Sequence, residues 1–183
     1  MVLRRSLISA LVLLPGTAWV QEAAPRRPDV PYVPTPPEVV RTMLRLARVR
    51  KGDVVYDLGC GDGRIVIEAV RRHGARGVGI DIDPERIAEA RANARQARVE
   101  GRTEFRVADL FQSDFSQATV VTLYLLPQLN VRLRPQLWQQ LKVGTRVVSH
   151  GFDMGEEWPP ERTEVVGGSA IHYWTIRPEH KNR

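Results

Sequence analysis

Three glycines at alternate positions, Gly59, Gly61 and Gly63, follow Asp57 at the end of the apolar run from Val54 to Leu58. Glycine lets a backbone turn sharply and approach a ligand closely, because no Cβ intervenes. A helix-forming stretch opens at Arg64, so its unpaired N–H groups face the same ligand. A second apolar run, Gly77 to Ile80, ends in Asp81, which lies 22 residues past Gly59. That is close to the distance at which a ribose-binding acid follows such a turn. A third acid, Asp109, stands after the run from Thr103 to Val107. Together these residues predict a nucleoside-containing cofactor lying across the carboxyl ends of parallel strands.

The spacing narrows the choice of cofactor. A dinucleotide fingerprint needs glycine at its first, third and sixth positions. Counting from Gly59, the sixth position is Arg64. A phosphate-cradling loop is excluded too, since no Gly-Lys-Ser/Thr follows.

The elements that must position these residues alternate along the chain. A helix is expected over Pro37–Ala47, with Val40, Met43, Leu44 and Ala47 on one face. Strand Val54–Leu58 leads through the glycine turn into a helix over Arg64–His73, stopped by Gly74. After strand Gly77–Ile80, Asp83 caps a helix that has Pro84 at its first position and runs to Ala97. Strands Thr103–Val107 and Thr119–Leu125 come next, then a helix from about Leu129 to Leu141 and strand Arg146–His150. Glu164–Val166 and Ile171–Ile176 flank Gly167-Gly168, a hairpin signal. Alternation of this kind predicts an α/β fold, a parallel sheet with right-handed crossovers and an antiparallel C-terminal hairpin.

The pattern Asp57-x-Gly59-x-Gly61-x-Gly63 resembles motif I of class I S-adenosylmethionine (SAM)-dependent methyltransferases. The likeness extends over about Val30 to Ile176. The segment Pro31-Tyr32-Val33-Pro34-Thr35-Pro36-Pro37 and the wording Gly61-Asp62-Gly63-Arg64-Ile65-Val66-Ile67 resemble one branch. That branch comprises the small mitochondrial protein-lysine methyltransferases of inner-membrane proteins and their bacterial relatives. The resemblance implies the Rossmann-like seven-stranded class I sheet, with SAM as cofactor. It implies that Gly59, Gly61 and Gly63 pass under the methionine part of SAM and that Asp57 orients its ammonium. Asp81 would then accept from the ribose hydroxyls, Ile82 pack on the adenine and Asp109 accept from the adenine amino group. From the residues alone, Asp81 also reads as a loop or cap acid, and Asp109 as part of a plain turn.

The catalytic end is less distinctive. Enzymes of base or glutamine amides carry Asn/Asp-Pro-Pro-Tyr/Phe after strand four, whereas this chain reads Leu123-Tyr124-Leu125-Leu126-Pro127. Tyr124 and Asn130 fall near the pocket side, and His150, Phe152 and Asp153 follow strand five at the edge where ligands bind. His150, Tyr124 and Asp153 are therefore the candidate catalytic residues, with His150 either a proton carrier or a buried structural histidine. His73 and His172 read as structural, and no His/Cys/Asp cluster has metal-ligand spacing. Cys60, the only cysteine, reads as a small filler beside the cofactor.

Composition bounds the rest. A chain of 183 residues with 43% hydrophobic content allows one domain with a sizeable core. The net charge is +6, yet lysine occurs only at Lys51, Lys142 and Lys181, and no basic run interleaves with aromatics. A solvated basic surface is expected, without specific nucleic-acid binding. Met1 to Arg5 is basic, Leu7 to Leu14 apolar, and small residues follow at Gly16, Thr17 and Ala18. Residues 1–20 thus read as a signal peptide or membrane anchor, placing the protein in the periplasm or on a membrane. A misassigned start would place it in the cytoplasm. Residues 21–35 read as a proline-rich linker and 36–183 as the methyltransferase domain. Tyr32 and Thr35 are either part of a rigid connector or line the site's mouth. The expected protein is a monomeric SAM-dependent methyltransferase acting on a protein lysine. A non-catalytic SAM- or nucleoside-binding module and a small-molecule methyltransferase are the other readings.

Overall fold

The computed structural model describes residues 32–182. The signal-like segment and most of the proline-rich stretch lie outside the described residues. The chain begins with helix α1 (Pro37–Leu46), strand β1 (Val54–Leu58), helix α2 (Arg64–His73) and strand β2 (Arg76–Asp81). Helix α3 (Pro84–Gln96), strand β3 (Thr103–Val107), strand β4 (Val120–Leu123) and helix α4 (Pro127–Gln140) follow. Strands β5 (Arg146–His150), β6 (Arg162–Val166) and β7 (Ser169–Thr175) complete the sheet. The expected boundaries shift by a few residues. β4 is shorter than Thr119–Leu125, and α4 starts two residues before Leu129, because Pro127 suits the first turn of a helix.

The seven strands lie in the order β3-β2-β1-β4-β5-β7-β6. β1 to β5 are parallel, while β7 runs antiparallel to both β5 and β6. This is the class I methyltransferase sheet. Chain order reverses where β1 meets β4, and their carboxyl ends diverge there into a crevice.

Alternation along the central strands builds a core on each face. Val55, Val120 and Val148 pack with Val40, Met43 and Leu44 of α1 and with Ile65 and Ala69 of α2. Tyr56, Leu58, Val121 and Leu123 point the other way, onto Leu133, Leu137 and Trp138 of α4 and onto Trp158 and Trp174. α3 adds a third cluster, in which Ile87, Ala90 and Ala94 meet Val66, Val70 and Phe105. Among the described residues, no helix is long and apolar enough to cross a membrane.

The end of the sheet opposite the crevice is closed by Asp53. It accepts from Arg50 N at 2.8 Å, from Thr119 Oγ1 at 2.8 Å and from the Arg146 guanidinium. Arg146 also donates to Ala47 O at 2.8 Å, so α1, β1, β4 and β5 are tied at one carboxylate. Burial alone would raise the Asp53 carboxyl, but Arg146, the Arg50 N–H and Thr119 together hold it below its ordinary value. Replacing Asp53 with Ala leaves the part-buried Arg146 without its carboxylate, though still bonded to Ala47 O and Arg48 O, expected to cost about 1–3 kcal/mol. Urea denaturation of Asp53→Ala should show that loss as a lowered midpoint with an unchanged slope. A wild-type midpoint would show the tie to be dispensable.

Candidate active site

β1 delivers Asp57 and the glycine turn to the crevice, β2 delivers Asp81 and Ile82, β3 delivers Asp109, and β4 delivers Tyr124 and Leu125. They enclose a cavity of about 250 Å³ lined by Asp57, Gly59, Asp81, Ile82, Asp109 and Tyr124 among others.

The turn is locked to β2. Gly59 N and Cys60 N both donate to Ile80 O, at 2.8 and 3.0 Å. Gly61 N donates to Asp81 Oδ2 at 2.8 Å, and Asp83 N to Asp81 Oδ1 at 3.0 Å. Each Asp81 oxygen thus uses one lone pair on the backbone and keeps another for a ligand. The capping role open to Asp81 belongs instead to Asp83, whose Oδ1 accepts from Glu85 N at 2.8 Å.

The three glycines divide the labour, where the resemblance implies that all three underlie the ligand. Gly59 faces the cavity, and a Cβ there would stand 2.9 Å from Leu125 Cδ2. Gly61 and Gly63 do not line it. At Gly61 a Cβ would lie 2.2 Å from the Tyr32 ring, and at Gly63 within 2.9 Å of Phe105 and Ala90. Gly63 also has φ +79°, so it serves the entry to α2 and the packing of α3.

Asp57 is 2% exposed and accepts from Thr122 Oγ1 at 2.7 Å. Burial pushes its carboxyl up from 3.8 to about 7, and the charges of Asp81 and Asp62 add to the rise against the Thr122 hydrogen bond. Burial, with Asp57 and Asp81, also drives the Cys60 thiol well above its ordinary value, so Cys60 packs as a neutral filler. Asp109 does two things at once: it faces the cavity and accepts from Phe111 N at 2.9 Å, capping a short turn.

Of the three catalytic candidates, Asp153 stands away from the cavity and His150 takes the buried position that is one of its two readings. Asp153 is exposed, and its Oδ1 turns back to accept from Gly155 N at 3.0 Å, because Gly155 reverses the loop there. It does not line the cavity. His150 is buried behind the cavity wall, its ring stacked on Tyr124 with 3.9 Å between centroids. His150 Nδ1 and Thr35 Oγ1 share a hydrogen bond of 3.3 Å, and burial holds the imidazole pKa below its ordinary value, favouring the neutral ring. Tyr124 alone of the three faces the cavity. Asn130 is wholly buried and fastens the loop after β5, donating to Phe152 O at 3.1 Å and Asp153 O at 3.2 Å.

Sequence reading passed over several lining residues. Asp62 and Arg64 form a bidentate pair, with Arg64 Nε–Asp62 Oδ1 2.9 Å and Nη2–Oδ2 2.6 Å. The signal for it was an acid and an arginine two positions apart across a glycine. Leu110, Phe111, Leu125 and Leu129 form an apolar wall that only the packed fold brings together. Tyr32 and Thr35, which the sequence allows either in a rigid connector or at the mouth of the site, line the cavity.

The lining carries Asp57, Asp62, Asp81, Asp83 and Asp109 against two arginines, Arg64 and Arg86, of which Arg64 is already paired to Asp62. Such a site favours a cation. Among the described residues, no group of His, Cys, Asp and Glu is arranged to hold a metal ion.

Comparison with known proteins gives the site a context. The family model of the ANTKMT methyltransferase domain matches residues 57–162. A protein-lysine N-methyltransferase of Saccharolobus islandicus is 48% identical over 157 residues, 84% of this chain and 98% of the relative. The adenine nucleotide translocase lysine N-methyltransferase of Mus musculus is 34% identical over 167 residues, 91% of this chain and 69% of the relative. A crystal structure described as an RNA methyltransferase from Salinibacter ruber, in complex with S-adenosyl-L-homocysteine, is 59% identical with a TM-score of 0.78. It covers 80% of this chain and 95% of that one.

The cofactor is SAM, and the residues present fit it: a buried carboxylate and an acid-rich lining suit a ligand that carries a sulfonium and an ammonium. The raised Asp57 carboxyl sets the pH dependence. The folded protein holds a proton at Asp57 that the unfolded chain releases near 3.8, so stability without ligand falls as pH climbs from about 4 to about 7. A bound cation favours the ionised form, so SAM binding should expel that proton, and affinity should rise to about pH 7 and then level off. Calorimetry in buffers of different ionisation enthalpy reads the proton directly. Asp57→Asn should abolish the release; a wild-type protein that releases none would show Asp57 to be already ionised.

Proposed function

The chain belongs to the ANTKMT methyltransferase family and is a SAM-dependent methyltransferase; from that premise we propose that it N-methylates lysine side chains of a protein substrate. The observation that carries this reading is the Saccharolobus protein-lysine methyltransferase, of which 98% matches 84% of this chain. SAM supplies an electrophilic methyl carbon, and the chain supplies alignment and exclusion of water.

Asp57, Gly59, Asp81, Ile82 and Asp109 are the residues assigned to hold the cofactor. Their carboxylates balance its positive charge from the inner end of the cavity. Leu110, Phe111, Leu125 and Leu129 offer an apolar wall for the aliphatic stem of a lysine. With the lining acids balanced by the positive charge of SAM, the apolar wall pushes the amine toward its neutral, nucleophilic form. Among the described residues lining the cavity, Tyr124, just past β4, is the residue assigned to orient that amine. His150 acts through Tyr124 as a positioning residue: its stacked ring fixes the plane of the tyrosine.

RNA is the second reading, because the 59% identical Salinibacter protein is described as an RNA methyltransferase. The basic surface supports it weakly. Arg45, Arg64, Arg71, Arg86, Arg106 and Arg146 all pair with acids of this chain, which leaves fewer free cations for phosphates.

Incubation of the full chain with methyl-labelled SAM, a protein extract and total RNA separates the readings. Label is expected in protein and, after acid hydrolysis, in methylated lysine. Label in RNA alone would replace the lysine reading. Tyr124→Ala should lower kcat by roughly 10²-fold through misalignment, with SAM affinity unchanged. Unchanged turnover would remove Tyr124 from the acceptor side. For the N-terminal segment we propose export or membrane anchoring, and fractionation with N-terminal sequencing tests it. Intact protein found only in the cytoplasm would overturn that assignment.

A further inference from the structure

Tyr32 occupies a place that the methyltransferase reading does not use. Its ring lies directly on the glycine turn, where a Cβ at Gly61 would come within 2.2 Å of Tyr32 Cε2 and 2.9 Å of Cδ2. The second glycine of the motif therefore admits a side chain of this protein. The Arg86 guanidinium sits 5.1 Å from the ring centroid, within range of a cation–π contact. Arg64 reaches over the same ring edge, with Nη2 at 3.4 Å from Tyr32 Oη. Arg64 Nη1 donates to Thr35 O at 3.0 Å, while its Nε and Nη2 are held by Asp62. Thr35 is 4% exposed and shares its hydroxyl with His150.

The short segment from Tyr32 to Thr35 is thus pinned firmly at Thr35 and lightly at Tyr32, which stays 42% exposed. Tyr32, Val33, Pro34 and Thr35 all line the cavity. Without them the glycine turn and the Asp62–Arg64 pair would open to solvent on that side.

Resting on the assignment of this cavity to SAM, we propose that Tyr32 is a cofactor-retaining residue. Seated on Gly61 and positioned by the Asp62–Arg64 pair, it forms the outer wall of the cavity, and its release lets SAM enter and S-adenosylhomocysteine leave. Arg64 is then a positioning residue that acts through Tyr32. Its guanidinium suits the task because it can grip a carboxylate in two places and still donate to a carbonyl and a phenol.

The test uses the full chain and three variants, Tyr32→Ala, Tyr32→Phe and Arg64→Met, with the double variant Tyr32→Ala/Arg64→Met. SAM affinity is measured by calorimetry and SAM release by displacement of labelled SAM. Tyr32→Ala should weaken affinity about tenfold, nearly all of it as faster release, the scale expected for loss of one aromatic and cation–π contact. Arg64→Met should speed release by a smaller factor, because the ring and its Arg86 contact remain. Tyr32→Phe keeps the ring on Gly61 but loses the hydroxyl that Arg64 reaches, so it should release SAM more slowly than Tyr32→Ala and no faster than Arg64→Met. The double variant should be no weaker than Tyr32→Ala alone, since Arg64 acts through the side chain that Tyr32→Ala removes. Wild-type release from Tyr32→Ala would overturn the proposal, and additive losses in the double variant would overturn the role of Arg64. Tyr32 is exposed enough that Tyr32→Ala should fold even if Arg64→Met does not. A wild-type chain that binds no SAM would overturn the cofactor assignment itself, and the proposal with it.

Discussion

A carboxylate with almost no contact with water ends the central strand, and the rest of the site is arranged around that fact. Asp57 is buried by β2, β4 and the glycine turn, and only Thr122 supports its charge from within the described residues. Removing a carboxylate from water is costly unless a partner of opposite charge is supplied. Among the described residues no arginine or lysine reaches it: the two arginines of the cavity are engaged with Asp62 and Glu89. The missing positive charge has to come from the ligand. A neutral or anionic nucleotide would leave the acid protonated and add nothing, whereas a cationic nucleoside makes ionised Asp57 part of its own binding energy.

The turn beyond Asp57 solves a packing problem at the same place. β1 must stop, reverse and start α2 within a few residues while Asp81 stays open to the cavity. Hydrogen bonds from Gly59 and Cys60 to Ile80 O, and from Gly61 to Asp81 Oδ2, register the turn on the neighbouring strand. They also orient the Asp81 carboxylate before any ligand arrives, so no ordering of that side chain is left to binding. Gly59 leaves the cavity floor clear, Gly61 leaves room for Tyr32, and Gly63 lets α3 and Phe105 close in. One three-glycine pattern meets three separate steric demands.

This explains how much was legible beforehand. The sheet, its order of elements and the cofactor acids follow from local pattern: apolar strands ending in Asp57 and Asp81, a cap at Asp83, a stop at Gly74. Both β5 and β3 run over the expected residues, because their ends are set by nearby turn residues. The acceptor side was not legible in that way. Tyr124, His150 and Asp153 all stand at or just past the carboxyl ends of strands, so position alone ranks them together. What separates them is packing between distant segments: Thr35 and Tyr124 cover His150, and Gly155 captures Asp153. Such contacts have no periodicity and no fixed spacing in the chain.

Arg64 shows how one position can decide between cofactor classes. In a dinucleotide fold the sixth residue of the motif is glycine so that helix and strand can approach closely. Here the close approach is made one residue earlier, at Gly63, with Phe105 and Ala90 against it. That frees the next residue to carry a long side chain out of the turn. The guanidinium lies along the cavity wall, neutralises Asp62 and leaves Asp57 and Asp81 without a cation. The same substitution that removes the dinucleotide pattern therefore preserves the negative character of the inner cavity. It also binds the segment before α1 to the turn after β1, so the wall of the cofactor site is made from residues about thirty positions apart in sequence.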